Sequence, residues 1–406
     1  MERISVYGRQ IPRRRVVYNP ATAEFQQNPF PGLRALREQD PVHLTPRGWV
    51  LTRYDDCAEV LSSRQFGMRG IEGMLRRQIG PGPAFEVIAR RFHSYDPPEH
   101  TRLRSLVAKA FAGPRLDRMR GQIEALADRL LHHAGEPSFD LVEKFASPLP
   151  SAVIAAMLGT PPRDRARLNG WTDRILDLQG MARPGSATLA QGNAAARDYR
   201  AYLRAFVEAR RREPGDDLVS TLIEAQEQGH RLTDAEIADC ALFLANAGSA
   251  TTRNLIANAV NALQSDRTQW ELLVDDPALI GPAVAEALRF DCSLTSTPRF
   301  AQQEAVIGNR RVAAGAAVFC QLNAANRDPA RFPDPDRFDI TRADKKHLAF
   351  GGGVHFCLGA RLAHLQGELA LRALLRHHPT LRLATERIEW RSGLYRGPLR
   401  LPVVTA

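Results

Sequence analysis

The chain has 406 residues, 44% of them hydrophobic, enough for a sizeable core, and a formal net charge of +10. Of its 55 lysines and arginines only four are lysines (Lys109, Lys144, Lys345, Lys346), and the arginines are spread along the chain. That argues against a nucleic-acid protein, which gathers charge on one face and interleaves aromatics. Five scattered cysteines without CxxC pairing argue against a disulfide framework or a zinc site and fit a reducing compartment. Met1-Glu2-Arg3-Ile4-Ser5-Val6 starts no signal peptide or anchor, and charge interrupts every later apolar stretch, so a cytoplasmic protein with no membrane span is expected.

In chain order, Ile11-Pro12-Arg13-Arg14-Arg15 reads as a loosely ordered leader. The leader is placed over 1–24 and a single domain over 25–406. Val42-His43-Leu44 and Trp49-Val50-Leu51-Thr52-Arg53-Tyr54 read as extended segments. Glycine and proline crowd residues 67–83, which predicts a mobile loop. From about Pro98 to Leu288 the pattern is overwhelmingly helical, rich in Ala, Leu, Arg and Glu. At its start, Asp96-Pro97-Pro98-Glu99-His100-Thr101-Arg102-Leu103-Arg104 puts prolines in a first helical turn. His100 and Arg104, four apart, project from one face.

Thr233-Asp234-Ala235-Glu236 is a capping box, and an unbroken helix pattern follows through Ile237, Ala241, Leu244, Gly248, Thr251, Leu255 and Ala259. About thirty residues at ~1.5 Å each make a rod of roughly 45 Å. Gly248 costs this helix about 1 kcal/mol in propensity, which fits either tight helix packing or a groove for a ligand. Gly248 and Thr251, three apart, share a side. Glu286-Ala287-Leu288-Arg289 is an i,i+3 pair, common on solvated helices. Arg327-Asp328-Pro329 and Phe332-Pro333-Asp334-Pro335-Asp336-Arg337-Phe338 follow it. Strand-like pieces return near 295–320, where Arg299 follows Pro298, and near 380–405. The fold class is mainly α with small β-sheets at the edges.

Between those pieces lies Phe350-Gly351-Gly352-Gly353-Val354-His355-Phe356-Cys357-Leu358-Gly359-Ala360, a glycine-rich loop running into a helix. It holds a thiolate where helix start and macrodipole favour negative charge and where backbone amides can donate to sulfur. A low-pKa, amide-bonded thiolate is what an axial ligand to haem iron requires. The glycines would let the loop fold under a flat macrocycle.

This segment resembles the cysteine-ligand loop of the cytochrome P450 (haem-thiolate monooxygenase) family, Phe-x-x-Gly-x-x-x-Cys-x-Gly, filled by Phe350, Gly353, Cys357 and Gly359. The resemblance covers roughly residues 25–405 and implies the triangular haem-thiolate fold, with heme b (iron protoporphyrin IX) as cofactor and Cys357 as metal ligand. It also implies that His100, Arg104, Arg299 and His355 hold the propionates, since an unpaired buried carboxylate is very costly. Ala247-Gly248-Ser249-Ala250-Thr251-Thr252 is similar to the family's Ala-Gly-x-Asp/Glu-Thr-Thr stretch. Gly248 and Thr251 therefore become catalytic candidates, Thr251 as the alcohol that steers protons. Where the family has an acid this chain has Ala250, which cannot relay a proton. The Glu286–Arg289 pair and Arg337 are implied to brace the cysteine loop, and Arg361 to face a redox partner.

Substrate-facing segments are implied at 67–90, about 165–195, 243–251, 292–298 and 393–397. They contain the apolar Met68, Ile71, Met74, Phe85, Leu244, Leu294 and Leu394, with Thr295, Ser296 and Thr297 as hydrogen-bonding candidates. The expected activity is monooxygenation or oxidative tailoring of a lipophilic, natural-product-like small molecule. Electrons would come from a separate ferredoxin or flavodoxin system, since the chain has no flavin-binding domain. A carrier protein could present the substrate, and the enzyme is expected to be a monomer. Ala250 keeps a second reading open, in which a P450-type enzyme performs oxidative coupling, peroxide-driven chemistry or nitric oxide reduction. A third, a basic nucleic-acid-binding or haem-sensing protein without turnover, has little support.

Overall fold

The computed structural model describes residues 3–6, 9–12, 18–108, 111, 113–133, 137–179, 183–227, 232–391 and 393–405. Much of the expected leader, including 13–15, lies outside these residues. Its described parts are an antiparallel pair, Arg3–Val6 with Arg9–Pro12, and residues 18–24, which run into a helix at Ala23–Gln27.

Seven helices position the site: α1 (Glu99–Ala108), α2 (Gly113–His133), α3 (Pro148–Leu158), α4 (Ser186–Arg212), α5 (Asp234–Ser265), α6 (Ile280–Phe290) and α7 (Ala360–His377). The capping box forms as expected: the Glu236 N–H donates to Thr233 Oγ1 at 3.2 Å and the Thr233 N–H to Glu236 Oε2 at 2.7 Å. From that cap α5 runs 32 residues, roughly 48 Å at ~1.5 Å per residue. Helix α5 packs against α3, α4, α6 and α7. As a helix that crosses a protein, α5 buries residues all round its circumference, mostly apolar but with Asn246, Asn254 and Asn258 among them. Helix α3, PLPSAVIAAML, does the same, with nine of its eleven residues buried.

A five-stranded sheet flanks the helices, built from β1 (Val42–Thr45), β2 (Gly48–Leu51), β3 (Phe66–Gly67), β4 (Ser296–Ala301) and β5 (Ala317–Gln321) in the order β1-β2-β5-β4-β3. Only β2 and β5 pair in parallel, with Trp49 opposite Val318. The extended segment expected over 49–54 stops at Leu51, because Tyr54 opens the helix Tyr54–Ser62.

The loop expected at 67–83 is instead two short helices, Ile71–Ile79 and Pro83–Ala89. Its glycines cap them: Gly70 (φ 128°) and Gly82 (φ 146°) precede the two helices and Gly80 (φ 68°) ends the first. Pro83 occupies the first turn, where its missing N–H costs nothing. Ile71, Leu75, Ile79, Phe85 and Ile88 then turn inward, and that burial orders the segment.

Candidate active site

Cys57, Cys240, Cys292 and Cys320 are buried, whereas Cys357 is the one partly exposed cysteine of the five. Its N–H donates to Phe350 O at 2.9 Å, closing the loop into a tight turn just ahead of α7. Gly351 (φ 69°) and Gly353 (φ 62°) take left-handed conformations there. At Gly353 a Cβ would also stand 2.5 Å from Leu61 O. At Gly353 the helix Tyr54–Ser62 by itself leaves no room for a side chain.

The low thiol pKa expected from sequence does not hold for the protein alone. Burial pushes the Cys357 thiol up, and the Gly359 N–H and Arg104 only partly offset it. One amide and one cation supply less than the water that the sulfur loses.

Beside this loop lies a buried cluster of bases. His100 is 1% exposed, with both ring nitrogens unpartnered, and its ring centroid is 4.3 Å from that of His355, whose nitrogens also lack hydrogen-bond partners. Arg299, 4% exposed, donates to Pro298 O at 2.9 Å. Arg104 donates to Phe356 O at 2.7 Å. Burial, then Arg299 and His100, push the His355 pKa down to about 3. Burial and Arg104 likewise lower His100. The nearest acid, Asp96, lies 3.8 Å from His355 Nε2, while its two oxygens accept from the Met68 and Arg69 amides. Buried imidazoles without hydrogen-bond partners, and a buried guanidinium with no carboxylate bonded to it, are costly unless a ligand supplies acceptors. The structure therefore brings together His100, Arg104, Arg299, His355 and Cys357.

Two neighbours escaped the sequence reading. His93 stacks on Phe243 of α5 at 4.7 Å, and Arg91 is 4% exposed. Neither carries a sequence signal, because a lone arginine in so arginine-rich a chain looks like surface.

On α5, Thr251 Oγ1 donates to Ala247 O at 2.6 Å, one turn back. A Cβ on Gly248 would meet Ile154 Cδ1 of α3 at 2.4 Å, so helix packing by itself accounts for this glycine. Ala250 is 3% exposed. The acids of α5 (Asp234, Glu236 and Asp239) all lie in its first two turns, and Asp239 is held by Arg200 Nε at 3.2 Å. From Asp239 to Thr251 the helix rises ~18 Å, so no carboxylate on α5 stands near Thr251.

Among the substrate-facing candidates, Met68, Ile71, Phe85 and Leu244 belong to the continuous core. Met74 and Leu294 pack on it partly buried. The Thr295 hydroxyl donates to Leu394 O at 3.1 Å, and Thr297 Oγ1 lies 3.4 Å from Arg299 Nη1. Only the buried Ser296 hydroxyl has no partner.

Glu286 and Arg289, both 0% exposed, form a bidentate pair with two 2.8 Å bonds. Arg289 also donates to Asn326 O, Pro335 O and Arg337 O. The expected third side chain is corrected: Arg337 is exposed and contributes its carbonyl, while Arg342 Nε reaches Glu286 Oε1 at 3.2 Å. The turn at 333–337 points the Arg337 side chain outward, a consequence of loop path that residue spacing does not carry. On the outer side of the cysteine loop, Phe350, Phe356, Arg120 and Arg361 line a cleft of about 400 Å³. Val354 and Phe356 are exposed there.

A partly exposed thiol on a glycine loop, beside a basic cluster with unpartnered nitrogens, is an arrangement that haem and its carboxylates would fit, the class of a haem-thiolate protein. The cytochrome P450 family profile matches residues 278–383. The chain is 34% identical to the polyketide biosynthesis cytochrome P450 PksS of Bacillus subtilis, covering 96% of this chain and 98% of that protein. It is 38% identical to 6-deoxyerythronolide B hydroxylase of Saccharopolyspora erythraea, covering 91% and 94%. Its fold matches P450BioI in complex with hexadec-9Z-enoic acid ligated acyl carrier protein at TM-score 0.88 and 33% identity, covering 95% and 100%. The chain belongs to the cytochrome P450 family and is a cytochrome P450 monooxygenase, a membership that implies a haem-iron cofactor. Among the described residues no helix is long and apolar enough to cross a membrane.

Proposed function

We propose that the protein is a heme b monooxygenase that oxidatively tailors a lipophilic, natural-product-like small molecule in the cytoplasm, with electrons from a separate ferredoxin or flavodoxin system. The observation that carries this is the unpaired basic cluster beside Cys357. Heme b, when bound, would supply activation of dioxygen. Cys357 Sγ would ligate the iron, with the Gly359 N–H and Arg104 stabilising its charge. His100, Arg104, Arg299 and His355 would take the two propionates, which would give partners to the unpartnered imidazoles and counter-charge to the guanidinium groups. Phe350 and Gly359 bound the loop that sets the sulfur in place. Thr251 presents its hydroxyl on the face of α5 that runs through Phe243 and Ala247, where it can hold or pass a proton, and Gly248 keeps α5 close to α3.

The relatives support the substrate class, since their names place them in polyketide biosynthesis and 6-deoxyerythronolide B hydroxylation. P450BioI, bound to an acyl carrier protein, makes carrier-borne substrate a reasonable variant here. The cleft carries exposed Phe356 with Arg120 and Arg361 beside Asp117 and Glu368, a mixed-charge face for an electron donor that Arg120 and Arg361 could engage through its acidic groups. A second reading, oxidative coupling, peroxide-driven chemistry or nitric oxide reduction, is favoured by one observation: Ala250 and the absence of any acid on α5 within ~18 Å of Thr251.

The test is spectroscopic. The reduced protein under carbon monoxide should show the red-displaced Soret band of a thiolate complex, and Cys357→Ser should lose it. Persistence of that band in the variant would overturn the assignment.

A further inference from the structure

Arg91 stands apart from the cluster assigned to the propionates. It precedes the turn Phe92–Ser94 and meets three distant segments. Its Nη1 donates to Gln179 Oε1 at 2.8 Å, its guanidinium lies 5.8 Å from the Phe243 ring centroid, and the Tyr395 phenol lies near it. His100, His355 and Arg299 do not act on Arg91 itself, although they and Arg91 all act on His93. Arg91 is 4% exposed, yet its Nε and Nη2 have no partner, and the Nε2 of Gln179 has none either. All three orphans are donors. The Gln179 bond fixes the guanidinium plane, and the Nε and Nη2 hydrogens form its side-on fork, which matches the two oxygens of a carboxylate. A buried unpaired guanidinium is tolerated only where something arrives to pair it.

The position of Arg91 fits substrate rather than surface. Phe243, Ala247 and Thr251 are four apart in succession and form one stripe of α5. Arg91 packs at the Phe243 end, ~12 Å along the helix from Thr251. Asn246, three residues beyond Phe243 and 2% exposed, has both amide atoms unpartnered, a further polar site on this part of α5.

We propose that Arg91, with Gln179, is the carboxylate anchor of the substrate site, and that the substrate is a lipophilic carboxylic acid held by its carboxylate with its apolar chain directed along α5. This rests on the monooxygenase reading.

The ferric holoenzyme would be titrated with decanoate, dodecanoate and tetradecanoate and with their methyl esters, following the spin-state shift of the Soret band. At least one acid should bind tenfold or more tightly than its ester, about 1.4 kcal/mol. R91Q should abolish that preference while keeping the thiolate–carbon monoxide spectrum, and R91K should restore only part of it because an ammonium lacks the fork. Q179E, which places a carboxylate beside Arg91, should also lose the preference without leaving a charge unpaired.

Failure of every acid to shift the spectrum, equal binding of acids and esters, or an undiminished preference in R91Q would each overturn the proposal. So would an R91Q protein that folds without haem, since Arg91 would then belong to the cofactor. Absence of the thiolate spectrum in the unmutated protein would instead defeat the monooxygenase reading itself.

Discussion

Ala250 is a methyl group buried at 3% exposure, and three residues along α5 stands Arg253, 7% exposed and 3.6 Å from Asp173. A carboxylate at 250 would therefore find a cation one turn away on its own helix. With a surrogate ferredoxin–reductase pair and a bound fatty acid, Ala250→Asp should raise product formed per NAD(P)H consumed, by about tenfold if a positioned proton donor is what is missing. Unchanged product distribution and electron consumption would strip the missing acid of mechanistic weight. At this scale the sequence was most legible where several residues formed a pattern. His100, Arg104, Arg299, His355 and Cys357 were all named from motif context, and they converge in the structure. Arg91, His93 and Arg342 were missed because a single basic residue among so many shows neither its burial nor which way its loop turns.

The elements around the cysteine show how glycines with different surroundings do different work. Gly353 has φ 62°, and a Cβ there would press on Leu61 O at 2.5 Å, a backbone atom that cannot rotate aside. A left-handed non-glycine residue costs about 1–2 kcal/mol before any collision. Gly353→Ala should therefore cost the protein at least about 2 kcal/mol in denaturant unfolding and lower haem per chain severalfold. On α5, a Cβ at Gly248 meets side-chain atoms alone, Ile154 Cδ1 and Cγ1, which a change of rotamer can move. Gly248→Ala should cost less, since better helix propensity offsets part of the repacking. Equal losses in the two variants, measured by urea unfolding and haem absorbance, would refute this distinction. The segment at 67–83 teaches the same lesson in reverse: its glycines and prolines punctuate helices, and local composition does not distinguish a cap from a loop.

For the molecule as a whole, buried histidines set a pH dependence. Burial, then His364, pushes the His347 pKa down to about 4, and burial, then Arg91, takes His93 well below its ordinary value. A base whose folded pKa lies below its unfolded value of about 6.5 takes up its proton mainly on unfolding. Its contribution is thus complete above about pH 6.5 and is lost as pH falls, at about 1.4 kcal/mol per pH unit for each group. The apoprotein should lose stability as pH falls from about 6.5 to about 5, read as a lower urea midpoint. Carboxylates act in a lower window. Burial raises Asp336, but Arg327 and Arg34 more than offset it, so its share is lost only below about pH 4. A urea midpoint flat between pH about 7 and about 5 would contradict this account.

The sequence by itself determined the mainly helical class, the capped rod of α5, the thiol loop ahead of α7 and the family to which these belong. All of these are short-range patterns, set by helical spacing, capping chemistry and backbone restriction. Only the tertiary structure decided what depends on approach between distant segments: that Arg342 rather than Arg337 reaches Glu286, that Ile154 fills the space at Gly248, and that Arg91 is buried with its fork unpaired. Burial and pairing are properties of the assembled molecule, because the free energy of a charge depends on the groups that folding brings around it.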